Sequence, residues 1–363
     1  MFYDNELNAL KKAHRFRERK AFDETLHDFA SNDYLGLAQD TSQIEAATST
    51  LLEHKTLSPK ASQLVNGYHP IHQAFEEALI KLHHFPNALS VGSGFLANMA
   101  LIETLPRKGD LLLLDEEYHA SGVVASKLCK AEVIFFKHND VNDAKKYLET
   151  KKYKRAIIAI EGIYSMHGDI CNKAFFELAD TYNAILIVDE AHSSGVVGET
   201  LLGVFEHYQI TPKENHIMMG TLGKAYGSYG AYILASDEII SFLVNRAKSI
   251  IYATAPSLFD ITLAHKNLEK IKSNASIYAK EIKEIQTICK EMLDISIDAL
   301  ILPIKINSSS KVLELQEKLI KEGYLIGAIR PPTVKEPILR VILRVNQKEH
   351  LMPLLELIKK SLQ

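Results

Sequence analysis

The sequence predicts an α/β protein with a mostly parallel central sheet covered by helices, followed by a smaller C-terminal α+β domain. Between about residues 70 and 245, seven short apolar runs alternate with helical stretches. These runs are apolar on both faces, as a sheet packed between two helical layers requires. From Pro256 onward the pattern changes to long helices with two further strand candidates.

The predicted elements divide the chain into an N-terminal arm (1–45), a large α/β domain (46–255) and a C-terminal α+β domain (256–363). Residues 1–20 form an amphipathic helix or arm. The seven strands of the large domain are predicted at 88–91, 111–115, 132–136, 156–161, 185–190, 217–220 and 231–235. The last domain contains helices over 256–293 with a break near Asn274, a strand at 302–306, a helix over 310–322, a strand at 338–344 and a final helix.

Composition excludes several classes of protein. The 363 residues carry 42 Lys plus Arg against 45 Asp plus Glu, a net charge of −3, so no global field attracts nucleic acid or anionic lipid. Three widely spaced cysteines without a CxxC pair argue against disulfides and structural zinc, and paired histidines at 69–72 and 83–84 lack a third metal ligand. Without an apolar leader or a membrane-length apolar run, we expect a cytoplasmic protein.

Polar residues follow five of the predicted strands, at the edge of a parallel sheet where ligands gather. We therefore expect them to converge on one crevice. They are Gly92 to Phe95, Asp115 and His119, Glu161 and Ser165, Asp189 and His192, and Thr221 and Lys224.

The Gly92-Ser93-Gly94 turn precedes a helical stretch, where bare backbone N–H groups favour an anion such as phosphate. The same turn matches the dinucleotide fingerprint G-x-G-x-x-A, so an NAD-dependent oxidoreductase is an alternative, as is a turn required only for packing. Asp189 ends a buried run, where an ionised carboxylate needs a cation or strong donors, either a ligand or backbone amides.

Lys224 lies among three glycines directly after a predicted strand. Most lysines are solvated, but a lysine in a crevice can act as a Schiff-base nucleophile. An anion cradle, a buried Asp, a nearby His and a glycine-flanked Lys match the phosphate, pyridinium nitrogen, ring oxygen and aldehyde of pyridoxal 5′-phosphate. A dinucleotide does not need the lysine, so the sequence favours pyridoxal phosphate.

The sequence resembles the α-oxoamine synthases, fold-type I pyridoxal-phosphate enzymes that join an amino acid to an acyl thioester with loss of carbon dioxide. Nine motifs in order carry the resemblance: FASNDYLGLA at 29–38, VNGYHPIHQAFEE at 65–77, SGFLANMA at 93–100, YHAS at 118–121, HND at 138–140, EGIYSMHGD at 161–169, VDEAHSSGVVGE at 188–199, GTLGKAYGSYGAY at 220–232 and IYAT at 251–254.

The resemblance implies a role for each matching residue. Lys224 carries the cofactor aldehyde, Asp189 pairs with the pyridinium nitrogen, His192 bonds the ring oxygen and His119 stacks on the ring. The other implied contacts are Ser165 for the position of the cofactor, Ser93, Gly94, Phe95 and Thr221 for the phosphate, Thr254 from the second subunit of a homodimer, and Asn32 and Arg340 for the substrate carboxylate.

Within the family, AIRPPTV at 328–334 is most similar to the branch that condenses L-alanine with pimeloyl-CoA or a pimeloyl-carrier protein in biotin synthesis. Alternatives are another member, such as a glycine C-acyltransferase, and a protein that retains only the fold. Residues 58–66 lack the glycine-rich stretch of the family. Residues 335–340 are shorter than in the family, so Arg344 is an alternative to Arg340.

Overall fold

The computed structural model describes residues 2–13 and 15–362. The strands are β1 His27–Phe29, β2 Asn87–Val91, β3 Leu111–Asp115, β4 Glu132–Phe136, β5 Ala156–Glu161, β6 Ile185–Asp189, β7 His216–Thr221, β8 Ala231–Ala235, β9 Ile301–Lys305, β10 Tyr324–Ile329 and β11 Ile338–Ile342. Short 3-10 or π turns cover Leu37–Gln39, Gln63–Gly67, Met99–Glu103 and Val345–Gln347.

The helices alternate with these strands over most of the chain. They are α1 Asp4–Lys12, α2 Thr41–Leu52, α3 Pro70–His83, α4 Gly94–Asn98, α5 Ala120–Ser126, α6 Val141–Thr150, α7 Ala174–Thr181, α8 Val204–His207, α9 Asp237–Arg246, α10 Lys248–Ile251, α11 Leu258–Ser273, α12 Ala275–Leu293, α13 Ser309–Lys321 and α14 Lys348–Leu362. Across the described ranges, no helix is both long enough and apolar enough to cross a bilayer.

The described residues form two compact units. Unit 1 contains the residues up to Ser31, the segment Met166–Gly168 and the residues from Ile285 onward. Unit 2 contains Asn32–Ser165 and Asp169–Glu284. The division expected from the sequence, with boundaries at residues 45 and 255, remains a prediction about which segments fold together.

Unit 2 is built on a seven-stranded sheet with the strand order β2-β8-β7-β6-β5-β3-β4. The five strands from β7 to β4 in this order are parallel, and β8 is antiparallel to both β7 and β2. The predicted mostly parallel sheet is therefore confirmed, and all seven strand candidates form strands. Every residue of β3 and β5 is buried, which explains why neither run alternates with polar residues.

Several of the helices that accompany this sheet begin at a polar cap and bury an apolar stripe. Asp140 accepts hydrogen bonds from the backbone N–H groups of Asn142 and Asp143 at the start of α6, and Ser257 caps α11 by accepting from Asp260. The core between the sheet and α9 contains Ile187, Ile217, Ile233, Ile239 and Leu243. Because these five strands are parallel, their carboxyl ends lie at one edge of the sheet, which loops cover.

Unit 1 contains a four-stranded sheet with the order β1-β10-β11-β9. The predicted strands at 302–306 and 338–344 correspond to β9 and β11, and the break near Asn274 separates α11 from α12. The expectation of a helix over residues 1–20 is met only by Asp4–Lys12, while residues 15–20 are not helical and residues 1 and 14 lie outside the described part. Helix α1 buries no side chain, and a helix this short is marginal without tertiary contacts.

Candidate active site

A cavity of about 200 Å³ lies at the carboxyl edge of the parallel strands in unit 2. It collects side chains from the ends of β5, β6 and β7 and from the loops after β2 and β3. Its lining residues are Gly94, Phe95, Asn98, His119, Glu161, Asp189, Ala191, His192, Met219, Thr221 and Lys224. Seven of these were predicted from the sequence as site residues, so the expected convergence of strand ends occurs.

Asp189 is the last residue of β6 and is buried. Its Oδ2 accepts a hydrogen bond from Asn98 Nδ2 at 2.9 Å, and its Oδ1 accepts from the backbone N–H of Ala191 at 3.0 Å. Asn98 is itself fixed, because its Oδ1 accepts from the Tyr118 hydroxyl at 2.8 Å. These donors orient the carboxylate, so both readings of this residue, backbone amides and a cationic ligand, are compatible with its geometry.

Lys224 and His192 face each other in the cavity. Lys224 Nζ lies 2.7 Å from His192 Nε2, although 32 residues separate them in sequence. On the other side of the imidazole, His192 Nδ1 lies 2.5 Å from the hydroxyl of Tyr34. Lys224, His192 and Tyr34 therefore form a chain of contacts that runs from an amine through an imidazole to a phenol.

His119 precedes α5, where its Nδ1 contacts the Ser121 hydroxyl at 2.6 Å and accepts from the Ser121 backbone N–H at 3.3 Å. Burial lowers the pKa of His119; the charge of Asp189 opposes this effect, and that of Lys224 adds to it. An imidazole that stays neutral is suited to pack against a flat ring.

Glu161 ends β5 and is register partner of Asp189 on β6. Its Oε2 accepts from the Ser165 backbone N–H at 3.0 Å, and among the described residues its buried Oε1 has no hydrogen-bond partner. Burial raises the pKa of this carboxyl well above its usual range, and the charge of Asp189 adds to the shift, while Lys224 and two backbone N–H groups oppose it. Burial thus disfavours the charged form of Glu161 beside the carboxyl group of Asp189.

The predicted anion-binding residues lie together at the other end of the cavity. A Cβ added to Gly94 would lie 3.8 Å from Thr221 Oγ1, so the turn after β2 and the end of β7 are adjacent. Ser93 caps α4 by accepting a hydrogen bond from the Leu96 backbone N–H at 3.3 Å. This region combines hydroxyls with backbone N–H groups at a helix start, which is a suitable environment for phosphate.

Five predicted residues are not among those lining the cavity, namely Ser93, described above, and four others. Ser165 is buried and contacts Glu161 through its backbone. Thr254 is exposed in the loop after α10, and Asn32 Oδ1 lies 3.5 Å from the Tyr34 hydroxyl. Arg340 is buried in β11 of unit 1.

Arg344, the alternative to Arg340, forms an ion pair within unit 1. Its Nη1 donates to Asp28 Oδ2 at 2.8 Å and to the Asp28 carbonyl at 3.3 Å, and the side chain is almost fully buried. Its guanidinium is thus engaged by a carboxylate of the same unit.

The residues present fit pyridoxal phosphate. The cavity offers a lysine amine, an oriented carboxylate, an imidazole and a set of hydroxyl and N–H donors, one for each functional group of the cofactor. The unpartnered Oε1 of Glu161 further indicates that this space receives a polar ligand. Asp189, Lys224 and the glycine turn could each have a structural explanation alone, but the cavity brings all three together.

Comparison with known proteins agrees with this set of residues. Residues 24–353 match the family model described as aminotransferase class I and II, and the chain belongs to this family. It has the fold-type I architecture and is a pyridoxal-phosphate-dependent enzyme. This assignment favours pyridoxal phosphate over the dinucleotide alternative raised by the glycine turn.

Two curated relatives cover most of the chain. The chain is 46% identical over 346 residues to "8-amino-7-oxononanoate synthase" of Helicobacter pylori strain J99, covering 95% of this chain and 93% of the relative. It is 37% identical over 339 residues to "Putative 8-amino-7-oxononanoate synthase" of Aquifex aeolicus, covering 91% and 90%.

Solved structures show the same fold. The crystal structure of 8-amino-7-oxononanoate synthase from Francisella tularensis matches with a TM-score of 0.77 at 27% identity, covering 94% of this chain and 98% of that one. Serine palmitoyltransferase from Sphingomonas wittichii matches with a TM-score of 0.88 at 22% identity, covering 99% and 98%. The latter identity is low, so this second match shows the fold alone.

Sequence reasoning missed several side chains of the site. Tyr34 lies in a quoted motif but received no role, because its contact with His192 joins residues 158 apart. Asn98 lies in another motif, and only its contact with Asp189 reveals its importance. Glu161 was noted at a strand end, but its register partnership with Asp189 required the sheet order.

Proposed function

We propose that the protein condenses L-alanine with a pimeloyl thioester to give 8-amino-7-oxononanoate, with release of carbon dioxide and the thiol. The 46% identity to the Helicobacter pylori relative over nearly the whole chain carries this proposal. Its chemistry is consistent with the cavity in unit 2, where an amine, a carboxylate and an imidazole meet. When bound, pyridoxal phosphate supplies an electron sink that stabilises negative charge at the amino-acid Cα.

The residues of the cavity have distinct roles in this proposal. Lys224 would hold the cofactor aldehyde, and its amine would move the proton at the alanine Cα. Asp189 keeps the pyridine nitrogen protonated, and His192 bonds the ring oxygen. His119 packs against the ring and shields the reacting face from water, which would otherwise hydrolyse the thioester.

We also propose the further cofactor and substrate contacts that the family resemblance implies. Ser93, Gly94, Phe95 and Thr221 hold the phosphate, and Ser165 fixes the position of the cofactor. Asn32 and Arg340 bind the substrate carboxylate. The enzyme is a cytoplasmic homodimer in which Thr254 reaches the cofactor of the partner subunit.

The decisive experiment is mass spectrometry of the product formed from L-alanine and pimeloyl-CoA, with glycine and acetyl-CoA as competing substrates. We expect 8-amino-7-oxononanoate as the dominant product. Lys224→Ala should abolish turnover, whereas Lys127→Ala, a change at an exposed lysine, should not. Preference for glycine and acetyl-CoA, or turnover by Lys224→Ala, would overturn the proposal.

A further inference from the structure

Tyr34 has no role in the reaction proposed above, yet it forms a buried pair with His192. The Tyr34 side chain is 0% exposed and His192 is 5% exposed. The Tyr34 hydroxyl lies 2.5 Å from His192 Nδ1, and the two rings meet edge to face with centroids 6.1 Å apart. Burial on this scale excludes water as a competing partner for the contact.

The second ring nitrogen of His192 faces the lysine. Nε2 lies 2.7 Å from Lys224 Nζ. A neutral imidazole donates from one nitrogen and accepts at the other, so whatever fixes Nδ1 also determines what Nε2 presents to Lys224. Tyr34 contacts Nδ1, and its hydrogen bond there therefore determines whether Nε2 acts as a donor or an acceptor toward Lys224.

The distances indicate where the Tyr34 proton points. A second acceptor near this hydroxyl, Asn32 Oδ1, lies 3.5 Å away, at the outer limit of a hydrogen bond, while Nδ1 is at 2.5 Å. An O–H that points to the nearer of these two acceptors donates to Nδ1. His192 would then accept at Nδ1 and carry its proton on Nε2.

We propose that Tyr34 is a positioning residue that donates a hydrogen bond to His192 Nδ1 and so holds this histidine in its Nε2–H tautomer. In this tautomer Nε2 presents a donor to Lys224 Nζ, which favours the uncharged amine that can take up the cofactor aldehyde. The same N–H is available to an oxygen of the bound cofactor. The proposal does not depend on which amino acid or acyl thioester the enzyme uses.

The tautomer can be measured directly in the holoenzyme. Nitrogen-15 NMR of ring-labelled histidine separates protonated from unprotonated ring nitrogens, and His192→Gln identifies the signal of His192 by its loss. We expect a protonated Nε2 and a hydrogen-bonded, unprotonated Nδ1 in the unsubstituted protein. A proton on Nδ1 would overturn the proposal, whether or not any variant folds.

Substitution gives a second, independent readout. Tyr34→Phe removes the hydroxyl and keeps the ring, and we expect the Nδ1 signal to shift and pyridoxal phosphate to bind about tenfold more weakly. Tyr232→Phe is the matched control, because Tyr232 is equally buried and its hydroxyl contacts Ser194 Oγ at 2.8 Å, outside the cavity. It should leave the His192 signals unchanged and cofactor affinity within about twofold. Equal effects of the two variants on both readouts would assign Tyr34 a merely structural role and overturn the proposal.

Discussion

Glu161 and Asp189 are register partners on adjacent parallel strands, so two carboxyl groups lie side by side at the buried end of β5 and β6. Two like charges in one buried site are unfavourable, and burial together with the neighbouring Asp189 raises the pKa of Glu161 well above its usual range. The charge of Glu161 is therefore sensitive to pH above the range in which an ordinary glutamate titrates.

Glu161→Gln should stabilise the unliganded protein increasingly as pH rises. Because the folded-state pKa of Glu161 is raised above its ordinary value of 4.5, its stability contribution is present below that value and is lost at higher pH. The variant should gain up to about 1.4 kcal/mol per pH unit over the wild type above this value. Urea unfolding at about pH 5 and about pH 8 measures the difference.

The control for this measurement is Glu177→Gln, a change at an exposed glutamate. It should shift the free energy of unfolding by less than about 0.5 kcal/mol at either pH. A pH-independent effect of Glu161→Gln would mean that Glu161 is ionised in the folded protein.

His138 should stabilise the protein at neutral pH and lose this effect in alkali. Its Nδ1 and Nε2 each lie 3.1 Å from a carboxylate, Asp115 and Asp169 respectively. Burial alone lowers the pKa of His138, but the hydrogen bonds and charges of the two carboxylates outweigh it and raise the pKa to about 10. The stabilisation is thus complete below 6.5 and disappears as pH rises through about 10.

We expect His138→Gln to reduce the free energy of unfolding by about 2 kcal/mol at neutral pH and much less near pH 10. The expected loss in unfolding free energy is smaller than the full pKa shift would give, because 25% of the side chain is exposed and solvent screens the ion pair. Denaturant melts across this pH range test it, with His207→Gln at an exposed position as control. A constant difference at all pH values would contradict the ion-pair explanation.

Asn98→Ala should weaken cofactor binding by releasing Asp189. The Asn98 amide donates to Asp189 Oδ2 at 2.9 Å and to Ser121 Oγ at 3.0 Å. Without this donor the carboxylate is less well oriented, and we expect the dissociation constant of pyridoxal phosphate to rise about tenfold. Asn87→Ala, which removes a contact with Asp237 outside the cavity, is the control and should leave affinity unchanged. Similar affinities of the two variants would contradict the positioning role.

The two glycines beside Lys224 should respond differently to alanine. Gly227 has φ +53°, and a Cβ there would lie 2.5 Å from the Leu37 carbonyl carbon, so Gly227→Ala should cost about 3 kcal/mol. At Gly223 the Cβ would meet Ser228 O at 3.6 Å and Thr221 Oγ1 at 3.9 Å, both ordinary contacts, so Gly223→Ala should cost less than about 1 kcal/mol. Urea unfolding of the unliganded variants compares them, and equal costs would contradict the close approach at Leu37.

The sheet was predictable from sequence because its strands are buried on both faces, and a run such as Ala156–Glu161 has few other structural solutions. The short elements were not predictable from the sequence. Strand β1 has only three residues and pairs with β10 almost 300 residues away, so no local pattern marks it. Residues 1–20 were expected to form a helix or an arm, and the end of helix α1 at Lys12 could not be predicted because this helix buries no side chain.

The site was predictable to the extent that strand ends define it. Asp189, Lys224 and His119 each follow a recognisable strand, and the parallel sheet brings such ends together. The supporting contacts were not predictable, because Tyr34 and Asn98 act through partners that only the folded chain supplies. The sequence motifs identified the correct segments, but they did not show which side chains in those segments support the site.

The parallel pairing of β5, β6 and β7 has a consequence for biogenesis. A slip of one residue in any of these ladders would turn Asp189 or Glu161 to the opposite face of the sheet. A newly made chain can therefore capture its yellow prosthetic group only after every one of these strands has found its correct neighbour. The colour of a purified preparation, which measures the bound cofactor, would therefore report the amount of correctly assembled protein, independently of any assay of turnover.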